Sequence, residues 1–275
     1  VTGVQTCALP ISHAEPAPTA GAEPAPPPGA PTATETDALT LPRGRVVLHV
    51  AAELNLSTDA VGEPFSLSPD LWYGATDALS LGLVHSAAGR TGFAGGTGSA
   101  LCLTGTSHGC ARVYDDVGVG VRYALTHGGL AWAIDSGLYA QHLDPFQLTV
   151  KVGALGHWRS GALAIELAPA VLIGLTNRTP TGAAANEDAL SLPITALYAL
   201  SPALALSAQT GLALSLEHAG DAWAIPLTVG GHYLATERLR LDLGFSLTHL
   251  AGGNAYQGQT GLDGRALTLG GTYAF

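Results

Sequence analysis

The chain ends in Ala266-Leu-Thr-Leu-Gly-Gly-Thr-Tyr-Ala-Phe275, where large apolar side chains alternate with small or polar ones. Successive side chains of a β-strand point to opposite faces, so this stretch predicts a strand with one apolar face and one polar face. Similar stretches recur towards the N-terminus, each bounded by Gly, Pro, Asn or Asp. The predicted strands cover residues 45–57, 65–76, 79–86, 113–126, 130–142, 146–158, 163–176, 190–200, 204–215, 222–235, 239–249 and 266–275.

The composition excludes two classes of protein. The chain has 275 residues, of which 47% are hydrophobic and 12% charged, with no long uninterrupted apolar run. A membrane-spanning helix needs about 20 consecutive apolar residues and is therefore excluded. The net charge is -10 and only 11 residues are Lys or Arg, so we expect no nucleic-acid partner.

The connections between the predicted strands alternate between tight turns and longer loops, and an aromatic residue marks one side of this alternation. An aromatic precedes each of five tight turns by a few residues, and another lies next to the last residue of the chain. Tyr and Trp favour the membrane interface, where the ring contacts lipid and its polar tip stays hydrated. The predicted girdle contains Tyr73, Tyr123, Trp158, Tyr198, Tyr233 and Tyr273, and a sparser one at the opposite strand ends contains Phe65, Phe146 and Trp223.

These features resemble bacterial outer-membrane β-barrels, the porins and transporters of Gram-negative bacteria, whose terminal Phe is read by the assembly machinery. The segment Pro69–Gly82 is similar to a hairpin common in uncharacterised proteobacterial barrels of this superfamily. The resemblance implies an all-β fold, a 12-stranded antiparallel up-and-down transmembrane β-barrel with both termini in the periplasm. It also implies outer-membrane lipid and the barrel assembly machinery as partners, with Phe275 as the assembly signal.

The N-terminal region is expected to lie outside the barrel. Residues 1–11 resemble a translated sequencing adapter and the chain contains no Met, so residues 1–12 are expected to be an artefact, with the secretory signal lost. Residues 13–42 are rich in Pro and Ala, which predicts a disordered periplasmic tail. The barrel itself is expected over residues 43–275.

The face opposite the apolar stripe carries most of the charged side chains, and strand parity predicts that it lines the lumen. Burial of a charge is unfavourable in free energy unless the charge is paired or hydrated. Either a water-filled channel or a ladder of salt bridges is therefore expected. Both alternatives stay open at the level of sequence. The predicted lumen residues are His49, Glu53, Asn55, Asp70, Asp116, Arg122, Asp135, Lys151, His157, Glu166, Gln209, Glu217, His232, Arg240 and Asp242.

Cys102 and Cys110 lie in the longest predicted loop, residues 87–112. An even pair of cysteines in a chain bound for an oxidising compartment predicts a disulfide. The alternative is a metal site formed by both cysteines and His108, but no fourth ligand is evident and structural zinc normally has four. We therefore expect no metal and no cofactor.

The function expected from this resemblance is a narrow porin, a passive channel for small solutes. The alternative is a structural or adhesive barrel with a plugged lumen that acts through its outer loops. An enzyme is not expected, although some barrels of this size hydrolyse lipids with a Ser/His pair. His85 and Ser86 are adjacent, as are Asp115 and Asp116, so a strand would point the members of each pair to opposite faces.

Overall fold

The computed structural model describes residues 39–57, 60–95, 100–178, 185–257, 259 and 262–275. The expected artefact at residues 1–12 and the expected tail up to residue 38 lie outside this part of the chain. Among the described residues, no helix combines the length and apolar character that a membrane span requires.

In the described part of the chain, twelve antiparallel strands form a closed barrel, which confirms the predicted fold class. Each strand pairs with its neighbours in sequence, and the last strand pairs with the first. The strands are β1 Val46–Asn55, β2 Phe65–Thr76, β3 Leu79–Val84, β4 Val117–Thr126, β5 Leu130–Leu143, β6 Phe146–Ser160, β7a Leu163–Leu167 and β7b Ala170–Gly174, β8 Ala189–Ser201, β9 Leu204–Ser215, β10 Trp223–Thr236, β11 Leu239–Gly252 and β12 Arg265–Ala274.

The pairing of β1 with β12 closes the barrel. It runs without a register shift from Val47 opposite Ala274 to Asn55 opposite Ala266. The backbone N–H of Phe275 extends the pairing by donating to the carbonyl of Val46 at 2.9 Å. We call the end of the barrel where β1 begins and β12 ends the terminal rim, and the opposite end the loop rim.

The strand bounds agree closely with the predicted ones except around the third connection and in β7. The third connection is not simply an outer loop: β3 ends at Val84 and the chain forms a short helix, α1 (Ala87–Thr91). A two-residue strand, Leu101–Cys102, then pairs with the beginning of β2. In β7, Pro169 lacks a backbone N–H and separates the two segments that the sequence predicted as one strand.

Glycines on the inner face make room for two large aromatic rings. A Cβ atom at Gly82 would lie 2.7 Å from three atoms of the Trp72 indole, and one at Gly118 would lie 2.2 Å from the Tyr139 ring. Trp72, Val84 and Tyr139 form a buried apolar cluster, against which Leu41 packs. The rings can lie against the wall only because the neighbouring strands lack side chains at these positions.

The outer face of the barrel is apolar and the inner face is polar. Leu241 is 45% exposed and Val119 is 56% exposed, whereas Lys151 and Asp135 on the inner face are each 2% exposed. Similar exposed Leu, Ile and Val side chains surround the barrel. This distribution is the reverse of that in a water-soluble protein, in which large contiguous apolar patches are rare.

The contact between Trp72 and Gly82 yields a prediction about stability. Gly82→Ala should lower the free energy of unfolding by about 1–3 kcal/mol, because the new methyl group overlaps the indole and displaces it. Urea unfolding of the protein in detergent micelles, followed by tryptophan fluorescence, measures this change. The matched control is Gly271→Ala on β12, where a Cβ meets no atom within 4 Å; equal midpoints for the two variants would contradict the prediction.

Candidate functional site

Residues 85–95, which we call the crossing segment, leave the wall after β3 and pass through the lumen. The carbonyl of Gly89 accepts hydrogen bonds from Lys151 Nζ at 3.0 Å and from the Tyr139 hydroxyl at 3.3 Å. These donors lie on β6 and β5. The hydroxyl of Ser191 on β8 donates to the carbonyl of Thr91 at 2.6 Å. The segment is therefore bonded to successive strands as it crosses.

Gln209 on β9 holds the far end of the crossing segment. Its Oε1 accepts from the N–H of Ala94 at 2.6 Å, and its Nε2 donates to the carbonyl of Gly92 at 3.0 Å. The hydroxyl of Thr228 on β10 donates to the carbonyl of Ala94 at 2.9 Å. The single amide group of Gln209 thus serves as both an acceptor and a donor for the backbone of the crossing segment. The contacts show that the segment spans the barrel from β3 to β10.

Asp70 on β2 turns the chain inward at the start of the crossing segment. Its carboxylate accepts from the N–H groups of His85 at 2.6 Å and Ser86 at 2.9 Å, and from the Ser86 hydroxyl at 2.5 Å. The Ser86 hydroxyl in turn caps α1 by accepting from the N–H of Gly89. The His85 ring contacts the carbonyl of Pro69 and the Tyr114 hydroxyl instead. The His85 ring and the Ser86 hydroxyl therefore have different hydrogen-bond partners.

One charged cluster of the lumen lies on β4 to β6. Asp135 forms ion pairs with Lys151 and with Arg122, whose Nε lies 3.3 Å from Asp135 Oδ1. The Arg122 guanidinium carbon lies 3.9 Å from the centre of the Trp72 ring, a cation–π contact. The buried charges here are paired, as their burial requires. Lys151 has two roles, because it also binds the carbonyl of Gly89.

A second cluster lies on the opposite side, on β9 to β11. His232 Nδ1 lies 2.6 Å from Asp242 Oδ1, and His232 Nε2 lies 2.9 Å from the Ser207 hydroxyl. Arg240 Nε lies 2.9 Å from the same oxygen of Asp242. A Cβ atom at Gly270 would lie 3.3 Å from both Asp242 Oδ2 and His49 Nε2, so His49 on β1 faces the same cluster.

A cavity of about 760 Å³ extends from the crossing segment to the terminal rim, where Arg45 and Arg238 line it. A smaller cavity of about 280 Å³ lies beside Lys151, Asp135 and Leu39. Residues 39–42 were expected to belong to the tail, but they lie along the inner wall. The N–H of Leu41, for example, donates to the hydroxyl of Ser80 on β3 at 2.7 Å.

Most of the predicted lumen residues contact these two cavities. Asp135 and Lys151 line the smaller one. The larger one is lined by His49, Glu53, Asp70, Arg122, His157, Glu166, Gln209, His232, Arg240 and Asp242. Asn55 lies near the loop rim, where its amide donates to the carbonyl of Glu63. Asp116 lies before β4, with its Oδ2 3.6 Å from Arg90 of α1.

Glu217 does not line the lumen, contrary to the prediction. It follows the end of β9 and binds Arg178 at 2.7 Å, and Arg178 also binds Asp188 at 2.5 Å. Parity fails at Glu217 because the strand ends at Ser215. The hydrogen bond from Arg178 lowers the pKa of Asp188, and the N–H of Gly174 lowers it further. Glu217 therefore joins an ion cluster of the loops.

The six aromatics of the predicted girdle lie on the outer face near the terminal rim, with exposed fractions between 38% and 53%. Each lies opposite the first residue of a strand that begins at this rim. The pairs are Tyr73 with Val46, Tyr123 with Leu79, Trp158 with Leu130, Tyr198 with Leu163, Tyr233 with Leu204 and Tyr273 with Leu239. The register of the barrel thus places them in one ring.

The disulfide between Cys102 and Cys110 is present, which confirms that prediction. Because the two sulfur atoms are bonded to each other, the alternative metal site with His108 is wrong. Another group could hold a cation: donor atoms of Asp115, Asp116 and His142 lie within 4.8 Å of one another near the loop rim. The guanidinium of Arg90 beside Asp116 competes with a cation there.

No family model matches the chain, and no curated protein matches it. Among solved structures, the NanC porin is 12% identical and matches 82% of this chain and 98% of its own, with a TM-score of 0.57. The KdgM porin with disordered oligogalacturonate is 8% identical, with 83% and 99% covered and a TM-score of 0.53. An outer membrane channel from Pseudomonas putida F1 is 13% identical, with 87% and 98% covered and a TM-score of 0.50. The chain shares their barrel fold.

The hydrogen bonds from Gln209 to the crossing segment yield a prediction about amide hydrogen exchange. Gln209→Leu removes both hydrogen bonds to the segment and should speed exchange of the Ala94 amide hydrogen about tenfold or more. Hydrogen–deuterium exchange with mass spectrometry of peptides covering residues 85–95 measures this. Thr210→Val, the outward-facing neighbour, serves as control. Unchanged exchange in both variants would show that Gln209 does not hold the segment.

Proposed function

We propose that this protein is a passive channel for small solutes in the outer membrane of a Gram-negative bacterium. A barrel whose outer face is apolar belongs in lipid, because a closed sheet leaves no backbone group without a partner there. The observation that carries the proposal is the charge-lined cavity of about 760 Å³ inside this barrel. The ring of Tyr and Trp at the terminal rim supports the same placement.

The crossing segment would set the width of the path. It is hydrogen-bonded to six strands and divides the lumen, so only small solutes would pass. The charges beside it are of both signs: Arg122 and Asp135 lie on one side, and Arg240 and Asp242 lie on the other. Facing clusters of this kind create an electric field across a pore and orient polar solutes. We expect the field from Arg122, Lys151, Arg240, Asp70, Asp116, Asp135 and Glu166 to act on passing solutes.

The structural relatives support a channel, since two are named as porins and the third as an outer membrane channel. The oligogalacturonate bound to the KdgM porin concerns that protein. For this chain the solute class follows from the lumen alone, and its size and mixed charge favour small polar solutes.

A structural or adhesive barrel is the second function supported by an observation. The crossing segment is hydrogen-bonded from both sides, as expected for a plug that closes the lumen. Such a barrel would act through its loops, including the one closed by the disulfide. Electrical conductance separates the two functions, because a plugged barrel passes no ions.

Planar lipid bilayers test the channel. Purified protein should give steady conductance steps, and Arg122→Gln should shift ion selectivity towards cations because it removes a positive charge from the lumen. Arg178→Gln, in the ion cluster of the loops, is the matched control and should leave selectivity nearly unchanged. Reversal potentials in a salt gradient measure both variants. A silent bilayer that contains folded protein would rule out the channel.

Phe275 supports a proposal about assembly. Its ring is 60% exposed at the terminal rim and contacts the Tyr273 ring at 4.9 Å between centroids. We propose that the barrel assembly machinery reads this exposed terminal aromatic.

Deletion of Phe275 should reduce the amount of protein in the outer membrane several-fold. The barrel loses one backbone hydrogen bond, whereas the machinery loses its signal. Quantitative blotting of outer-membrane fractions measures the effect, with Phe275→Tyr as a control that keeps a terminal aromatic ring. Equal levels of the deleted and complete chains would overturn the proposal.

A further inference from the structure

We propose that Ser207, His232 and Asp242 form an acyl-transfer site inside the lumen, which hydrolyses small carboxylic esters. The inference goes beyond the channel, because it concerns a reaction rather than passage. It rests on three side chains, one on each of three consecutive strands, and on the cavity that they line.

The three side chains have the mutual contacts of a nucleophile, a base and an orienting acid. The Ser207 hydroxyl lies 2.9 Å from His232 Nε2, within reach for transfer of its proton. The other ring nitrogen, Nδ1, lies 2.6 Å from Asp242 Oδ1. With Nδ1–H donating to the carboxylate, Nε2 is left as the acceptor that a base requires. A triad of this kind is recognised by its geometry and not by its order in the sequence.

The register of the barrel holds this geometry. His232 lies directly opposite Asp242 on β11, and Ser207 lies opposite Gly230, two residues before His232. A Cβ atom at Gly230 would lie 3.0 Å from the Ser207 hydroxyl oxygen, so the glycine leaves room for that hydroxyl to face the histidine. Sites built on paired strands are held more rigidly than sites on loops.

Arg240 forms an ion pair with Asp242, the orienting acid of the site. Its Nε lies 2.9 Å from Asp242 Oδ1, and its Nη2 donates to the Thr272 hydroxyl at 3.3 Å. This ion pair favours the charged form of Asp242, and the carboxylate can stabilise the imidazolium that forms on His232.

The surroundings of Ser207 define the substrate class. A cavity of about 760 Å³ accepts a small organic molecule, and it opens at the terminal rim. Apolar side chains lie beside the triad on the same inner face, namely Ala205 next to Ser207 and Leu234 next to His232. The site would thus take an ester with a short apolar acyl group.

The reaction balances with water as the second reactant. The Ser207 oxygen bonds to the carbonyl carbon, the ester C–O bond breaks, and the serine proton passes through His232 to the departing alcohol. Water then attacks the acyl-serine, gives its proton to His232 and releases the carboxylic acid. The serine regains its proton and the site returns to its first state.

A fluorophosphonate probe tests the site in the complete, folded protein. We expect one covalent adduct, located on Ser207 by peptide mass spectrometry, and slow release of nitrophenol from p-nitrophenyl acetate. Ser207→Ala should abolish the adduct, and His232→Ala should slow labelling about a thousandfold. Ser201→Ala is the matched control and should label normally, since Ser201 lines the same cavity but its hydroxyl accepts from the backbone of a turn.

Two outcomes would overturn the proposal. They are the absence of any adduct on folded wild-type protein, and an adduct that persists in Ser207→Ala. Heat-modifiable gel migration establishes folding for each variant, so a failure to fold cannot pass as a failure to react. Conductance of the same preparations is recorded in parallel. A protein that conducts without being labelled refutes the acyl-transfer site and leaves the channel intact.

Discussion

The structure depends on the pairing of its first strand with its last. A sheet with two open edges would leave two rows of backbone N–H and C=O groups unpaired, which a hydrocarbon environment does not tolerate. The pairing of Val47–Asn55 with Ala266–Ala274 removes both edges. Once the barrel is closed, strand parity assigns each side chain to the inside or the outside. The apolar surface, the aromatic ring and the charged lumen all follow from this assignment.

The backbone N–H and C=O groups of the crossing segment also need hydrogen-bond partners inside the barrel. Its backbone leaves the wall and loses the partners that neighbouring strands would provide, so side chains must supply them. Six side chains on six strands do so, namely Asp70, Lys151, Tyr139, Ser191, Gln209 and Thr228. Part of the polarity of the lumen therefore serves to hold this segment.

The strands of the barrel wall could be predicted from the sequence because their side chains alternate between the apolar outer face and the polar inner face. The strands, the aromatic ring and the inner position of residues such as His232 all follow from alternation. Glu217 shows the limit, since parity has no meaning beyond the last paired residue of β9. The break in β7 was signalled by Pro169, but a bend in one strand has no periodic pattern of its own. The disulfide followed from the even number of cysteines in the barrel region.

The crossing segment could not be predicted in the same way. Helix α1 has five residues, too few for a periodic pattern, and its partners are far away in sequence. Thr228, for example, is 134 residues from the carbonyl it binds. The pairing of Ser207, His232 and Asp242 was hidden for a related reason. Parity placed His232 and Asp242 on one face, but only the register of β9, β10 and β11 brings them within hydrogen-bond distance of a serine.

The charged cluster on β4 to β6 and the one on β9 to β11 differ in how deeply their side chains are buried. Their different roles explain this difference. Lys151 and Asp135 neutralise each other and are almost completely buried, because Lys151 must stay in place to bind the carbonyl of Gly89. The side chains of His232 and Asp242 are 26% and 15% exposed, and they bind no described residue of the crossing segment. Charges that hold the fold can be buried once they are paired. Charges that act on a solute must remain in contact with the cavity, as those of Arg122, Arg240 and Asp242 do.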